Sequence, residues 1–214
     1  MDCGLPSDPC RPGKGKYRSL REMVREYIAC KRPYKKGERD YFRGLSLEEA
    51  IETAALAKNS EGKRSGHHRR RTPTQLAHGK TKLIALFSQI KRCESFDQLH
   101  KLVVKATDRV KGLGELYGYD TAYVIGVRLG LRPKKVYLHA GTRKGAQALG
   151  FPGNLPHLEP SDLPAELQLL KACEMEDFLC IYEAAFRKLS RFKRSRTERE
   201  AHERRWRGSY SSSK

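Results

Sequence analysis

Helix starts recur along this sequence, and each is followed by apolar residues at helical spacing. Ser or Thr residues that can cap a helix stand at Ser19, Ser46, Thr72 and Ser95. Ser46 is followed three positions later by Glu49, which completes a capping-box pattern. The apolar residues after each cap repeat every three or four positions, as on one face of a helix. Alternating runs of polar and β-branched residues, which indicate strands, are missing. The sequence therefore predicts an all-α protein.

The length of the chain and the order of its segments predict one compact helical domain with flexible basic tails. The chain has 214 residues, which suits one domain with additional segments. We expect a flexible leader at 1–16 and a helical domain at 17–150, with a hairpin unit at 95–150. An acidic helical pair at 151–187 would pack on that domain. A basic tail would follow at 188–214.

The charge of the chain favours a polyanionic partner. Lys and Arg number 44 against 25 Asp and Glu, which gives a net charge of +19. The excess is uneven along the sequence. Residues 58–71 hold six basic groups and one acidic group, whereas residues 151–186 hold one basic and seven acidic groups. An acidic segment therefore lies between basic ones.

Several classes of protein are excluded by the sequence. No stretch approaches the roughly 20 apolar residues of a membrane span, and the polar N-terminal segment is no secretory signal. The six cysteines are scattered without a C-x-x-C pair, so we predict reduced thiols and no metal site. The nucleotide-binding P-loop and the common hydrolase motifs are missing. We expect no cofactor, and a cytoplasmic or nucleoid-associated protein.

A glycine-rich turn between two helices carries most of the functional signal. Val110-Lys111-Gly112-Leu113-Gly114 places two glycines close together, and we predict a turn over 112–118 with the next helix from about Asp120. Glycines let a phosphate approach the backbone. The N-terminus of the next helix adds N–H donors and a positive dipole end. This pattern favours phosphate binding without sequence preference.

These residues resemble a known family. Val110 to Gly114 followed by Thr121-Ala122 is similar to the helix-hairpin-helix DNA-binding motif of the DNA glycosylase-like superfamily. Val136-Tyr137-Leu138-His139, with Leu149-Gly150 further on, resembles the segment after the hairpin in those glycosylases. The resemblance covers roughly 95–150. It implies binding to duplex DNA, with nucleic-acid contacts from Lys111, Gly112, Gly114, Thr121 and His139.

The sequence also departs from the family. Six residues separate Gly114 from Thr121, where the family has about two. Tyr137 occupies the position of the family's catalytic Asp, and Glu115 stands where a nucleophilic Lys would be. A tyrosine cannot supply the carboxylate that stabilises an oxocarbenium ion. We therefore predict no catalytic residues and a non-catalytic DNA-binding protein.

Further cations would widen the surface that binds nucleic acid. The segment 126–145 supplies basic residues without an acid, and a basic loop precedes Thr72-Pro73. Each phosphate that a cation neutralises adds to the salt dependence of binding. The candidate cations are Arg69, Arg70, Arg71, Arg132, Lys134, Lys135, Arg143 and Lys144.

Two alternatives stay open. One is an enzyme of the glycosylase or lyase kind that takes its carboxylate from Asp108 or Asp120. The other is a protein-interaction module that binds a partner through 161–186, where the acidic run Glu174-x-Glu176-Asp177 lies, with nonspecific RNA association through the basic charge.

Overall fold

The computed structural model describes residue 13 and residues 16–189, and it is mostly helical. The predicted leader 1–16 and tail 188–214 lie outside the described residues, apart from residues 13, 16, 188 and 189. None of the described helices is long and apolar enough to cross a membrane. The helices are α1 Leu20–Glu26, α2 Arg32–Gly44, α3 Leu47–Ala55, α4 Pro73–Ile84, α5 Phe87–Lys91, α6 Phe96–Thr107, α7 Glu115–Leu129, α8 Ala140–Ala148, α9 Ala172–Ile181 and α10 Glu183–Phe186.

The described residues divide into two compact units. The first unit is Pro33–Lys134, and the second combines 16–32 with 135–189. This division differs from the predicted one, because the break falls inside 95–150. The acidic segment 151–187 packs with α1 and α8 in the second unit.

The first unit is built around α7. Helices α3 and α6 pack on it, and α4 packs on both of them. The Tyr117 ring is fully buried, and its hydroxyl donates to the carbonyl oxygen of Ala55 over 2.8 Å. Burial raises the pKa of that hydroxyl to about 12. Tyr117 thus joins the first turn of α7 to the end of α3.

The second unit adds a small sheet, which the all-α prediction missed. Strands β1 Val136–Tyr137 and β2 His157–Leu158 pair antiparallel, with Val136 opposite Leu158. Two-residue strands are too short to show alternation in the sequence. The buried residues around them include Leu20, Met23 and Phe178.

Local signals placed several helices correctly. The Ser46 hydroxyl accepts from the N–H of Glu49, and the Glu49 carboxylate accepts from the N–H of Ser46. Thr72 and Gln75 form the same reciprocal cap at α4. These bonds satisfy N–H groups that have no partner inside the helix.

Prolines shape two segments of the chain. In helix α2, Pro33 stands in the first turn, where a missing N–H costs little. A π-helical turn, Tyr27–Lys31, leads into this helix. Within the predicted helical pair 151–187, the first part consists of two 3₁₀ turns, Pro160–Asp162 and Ala165–Leu169. Prolines at 160 and 164 remove the donors that an α-helix would need there.

The cysteines are not all reduced, which differs from the prediction. Cys30 is disulfide-bonded. Cys93, Cys173 and Cys180 are free thiols, and burial raises the pKa of the Cys93 thiol.

Candidate nucleic-acid interface

The turn between α6 and α7 is shorter than predicted. Helix α7 begins at Glu115, so Gly118 lies inside the helix instead of in the turn. A Cβ on Gly118 would come within 2.8 Å of Val104 on α6, and a glycine at this position lets the two helices approach closely. Thr121 therefore lies in the second turn of α7. It is 1% exposed, so the side chain that the sequence predicted to contact nucleic acid faces the core of the unit.

The two glycines of the turn have different roles. Gly112 has a φ of +94°, a conformation that L-residues with side chains rarely adopt, and a Cβ there would collide with the side-chain amide of Gln75. Gly114 has a φ of −96°, and a Cβ built there would meet no atom within 4 Å. Neither backbone conformation nor packing requires a glycine at 114. Its small size leaves the backbone of the turn accessible.

The N-terminus of α7 differs from those of α3, α4 and α6. Those three helices begin with a Ser or Thr side chain that accepts a first-turn N–H. Gly114 is the N-cap of α7 and has no side chain to do so. A 15-residue helix thus presents N–H donors and its positive dipole end beside an exposed glycine.

Helix α4 begins next to this turn. Gln75, in the first turn of α4, contacts Gly112 through its side-chain amide. Leu76 of the same turn packs in a cluster with Val110, Leu113 and Tyr117. The α4 N-terminus and the α6–α7 turn are therefore neighbours, although 37 positions separate Gln75 from Gly112.

The basic loop 58–71 is ordered by its own hydrogen bonds. The N–H of Ser65 donates to the carbonyl oxygen of Ala57 over 2.8 Å. The Arg64 guanidinium donates to the carbonyl oxygen of Arg71 over 2.6 Å. The loop ends at Thr72, the N-cap of α4, so its last arginines are held close to the α6–α7 turn.

His68 anchors the loop to α7. Its Nε2 donates to Asp120 over 2.8 Å, its ring packs edge-on against Tyr117, and it is 2% exposed. His67 Nδ1 lies 3.5 Å from the same carboxylate. Burial alone would raise the pKa of Asp120, but the hydrogen bonds from both histidines outweigh it and hold the pKa below its usual range. The sequence pattern did not identify this link.

The structure brings six predicted site residues into one region of the first unit. Arg69, Arg70 and Lys111 are exposed and Arg71 is half-buried. Within residues 16–189, no carboxylate lies within ion-pair distance of these four side chains. The group is Lys111, Gly112, Gly114, Arg69, Arg70 and Arg71.

Two predicted cations lie elsewhere in the first unit. Arg132 and Lys134 are exposed but follow the C-terminus of α7. A helix of this length spans about 22 Å at 1.5 Å per residue. The structure does not bring them to the turn, and they stand at the end of the helix dipole that repels phosphate.

The remaining predicted residues belong to the second unit and are largely engaged there. His139 is 3% exposed, and its Nε2 lies 2.6 Å from a Glu176 carboxylate oxygen. Arg143 donates to the carbonyl oxygens of Leu138 and Leu155, each over 2.7 Å. Both side chains, predicted from the sequence to contact nucleic acid, are thus bonded to groups of their own unit. Lys144 is exposed and Lys135 is half-buried.

The acidic run of α9 points inward. Glu174 accepts two hydrogen bonds from Arg32, each of 2.9 Å, and Asp177 accepts from the Tyr27 hydroxyl over 3.0 Å. Together with the Glu176–His139 pair, these bonds use all three acids inside the unit. The acids proposed as a partner-docking surface within 161–186 are thus largely unavailable. The large apolar side chain exposed there is Leu169, at 66%.

The residues considered for an enzyme lie in three different settings. Asp120 is held by His67 and His68. Asp108 is exposed at the end of α6. Tyr137 lies in β1, in the second unit.

Comparison with protein-family models, with curated proteins and with solved structures finds no match for this chain.

Proposed function

We propose that the unit Pro33–Lys134 is a non-catalytic module that binds duplex DNA by its phosphates at the α6–α7 turn. One observation carries the proposal. The basic loop, with Arg69–Arg71 unpaired among the described residues, is held beside a turn whose glycine leaves the α7 N-terminus open.

The two parts would supply different interactions with the backbone of DNA. The N–H groups of the α7 first turn would donate to one phosphate, which the helix dipole also favours. The arginines would contact neighbouring phosphates, since a guanidinium can donate two parallel hydrogen bonds. Neither interaction reads a base edge, so we expect binding that tolerates any sequence.

An enzyme of the glycosylase or lyase kind has less support. Such chemistry needs a carboxylate near the flipped or damaged nucleotide. The carboxylate closest to the turn in α7, apart from exposed Glu115, is Asp120, which two histidines engage. The hydrogen bonds of Asp120 explain its presence, because they anchor the basic loop to α7.

The test is a salt titration of full-length protein against fluorescent duplex DNA, single-stranded DNA and RNA, with Gly114→Val and Gly44→Val compared. Both glycines lack a positive φ, and a Cβ at either would meet no atom within 4 Å. Gly44 lies before α3, at the end of that helix opposite to Ala55. Gly112→Val is unsuitable, because its φ of +94° would strain the fold.

We expect wild-type protein to prefer duplex DNA with a steep salt dependence. Gly114→Val should weaken duplex binding about tenfold or more, because hydrogen bonds to a charged group contribute roughly 1.5–3 kcal/mol each. Gly44→Val should bind like wild type. Equal binding by both variants would contradict the proposal. Stronger binding to RNA than to duplex DNA would show that RNA is the ligand instead.

A further inference from the structure

We propose that the DNA strand continues from the turn along the exposed face of α6, over Lys101, Lys105 and Arg109. This inference rests on the proposed function, and it extends the surface to three cations that the sequence analysis did not select. All three side chains are exposed.

The three cations form one row. They are spaced four positions apart, so Lys101 and Lys105 lie one above the other on α6, and Arg109 follows in the turn. The step from Lys101 to Lys105 rises about 6 Å, and Arg109 lies two residues past the end of α6. The buried side of α6 carries Phe96, Leu99, Val103 and Thr107. At 100° per residue, the row lies on the opposite side of the helix.

Unlike other cations of the same unit, the row has no ion pair among the described residues. On α2, Lys36 and Arg43 each pair with Asp40 at 2.7 Å. Among residues 16–189, no ion pair engages Lys101, Lys105 or Arg109. Two lysines four positions apart repel one another and destabilise a helix slightly, and a polyanion would relieve that repulsion.

The acids nearest to the row in the sequence lie at its two ends. Asp97 stands one turn before Lys101 and is half-buried, and Asp108 is exposed next to Arg109. No acid interrupts the row between Lys101 and Lys105. The surface therefore keeps a net positive charge along the helix as far as the turn.

The length of the row fits the backbone of one nucleic-acid strand. A strand of B-DNA rises about 3.4 Å per nucleotide, so the roughly 6 Å between Lys101 and Lys105 corresponds to about two nucleotides. Arg109, Lys111 and the α7 N-terminus follow in the chain. A strand that lies along α6 would thus continue to the turn.

The test compares two double variants of full-length protein that lose the same charge. Lys101→Gln/Lys105→Gln removes two cations of the row, and Arg132→Gln/Lys134→Gln removes two exposed cations at the far end of α7. Duplex affinity is measured from 50 to 300 mM salt. We expect the log–log slope to shrink by about 1.8 for the row variant, at 0.9 for each phosphate contact. The control should lose less than about 0.5.

The outcomes separate this inference from the proposed function. Equal slopes for the two double variants would overturn the path along α6. If Gly114→Val still weakens binding in that case, the turn remains the binding site. If Gly114→Val also has no effect, the proposed function fails with it. Thermal unfolding of each variant checks that the fold survives; a row variant that is folded and keeps the wild-type slope contradicts the inference.

Discussion

Two charged stretches of similar density differ in whether their side chains have partners within the described residues. In α9, Glu174, Glu176 and Asp177 turn inward, and each binds a group from another element. In the loop before α4, Arg69 and Arg70 are exposed and have no ion pair among the described residues. In the sequence, each stretch is visible only as a run of like charges.

The difference shows how the role of a charge follows from its partners. The α9 acids receive charge-assisted hydrogen bonds, which repay their desolvation and join α9 to the helical segment 27–32 and to α8. In the loop, by contrast, His68 forms the anchor and the arginines face outward. The acids hold the second unit together, and we propose that the arginines bind a ligand.

The largest expected effect comes from removing the outward charges. Arg69→Gln/Arg70→Gln/Arg71→Gln should reduce the salt slope of duplex binding by about 2.7, which is roughly a 100-fold or greater loss of affinity at 0.1 M salt. The free energy of unfolding should change by less than about 0.5 kcal/mol. Fluorescence titration and urea unfolding measure the two quantities. Wild-type affinity in the triple variant would show that these arginines do not bind the duplex.

Removing an inward charge should instead lower the free energy of unfolding and leave DNA affinity unchanged. Glu174→Ala leaves Arg32 without its carboxylate and should destabilise the protein by about 3 kcal/mol. The folded variant should bind DNA as wild type does. Glu61→Ala is the matched control, because its exposed ion pair with Lys63 should contribute less than about 1 kcal/mol. Similar losses in urea unfolding for both variants would show that α9 is not held by these bonds.

The anchor between the two parts of the interface should respond to acid. Because the pKa of Asp120 is lowered in the folded protein, its contribution to stability is present above about pH 4, the usual carboxyl range, and is lost as pH falls further. Asp120→Asn should cost about 1.5 kcal/mol at pH 6 and weaken DNA binding a few-fold. It should also flatten the loss of stability below pH 4. Urea unfolding from pH 6 to pH 3 measures this, and parallel curves for variant and wild type would contradict it.

The smallest expected effect is a gain in affinity. Glu115 is exposed in the first turn of α7, where its carboxylate would repel a bound phosphate. Glu115→Gln should tighten duplex binding about two- to fivefold, since a charge at a helix N-terminus is worth roughly 0.3–1 kcal/mol. Glu48→Gln, in the first turn of α3, should leave DNA binding unchanged. Weaker binding by Glu115→Gln would place the phosphate elsewhere.

Local signals predicted much of the helical structure. The caps at Ser46, Thr72 and Ser95 mark helix starts because their hydrogen bonds reach only three residues along the chain. The start of α7 could not be predicted in this way. Gly118 looks like a turn residue, and its place in the helix depends on Val104 of another helix.

The candidate site was predictable only in part. Lys111, Gly112 and Gly114 stand together in the sequence, so their turn was visible there. The anchor of the basic loop was not, because His68 and Asp120 are 52 positions apart. The same limit applies to His139, whose partner Glu176 is 37 positions away. Residue type alone does not separate an anchored side chain from one that faces a ligand.

The most direct test of duplex binding at the α6–α7 turn is to locate the bound duplex by NMR. A ¹⁵N-labelled full-length sample is titrated with a short duplex, and amide shifts are mapped residue by residue. We expect the largest shifts at 111–116 and 69–72, with α9 unchanged. Shifts confined to α9, or to residues outside 16–189, would contradict it, because the duplex would then bind without the α6–α7 turn.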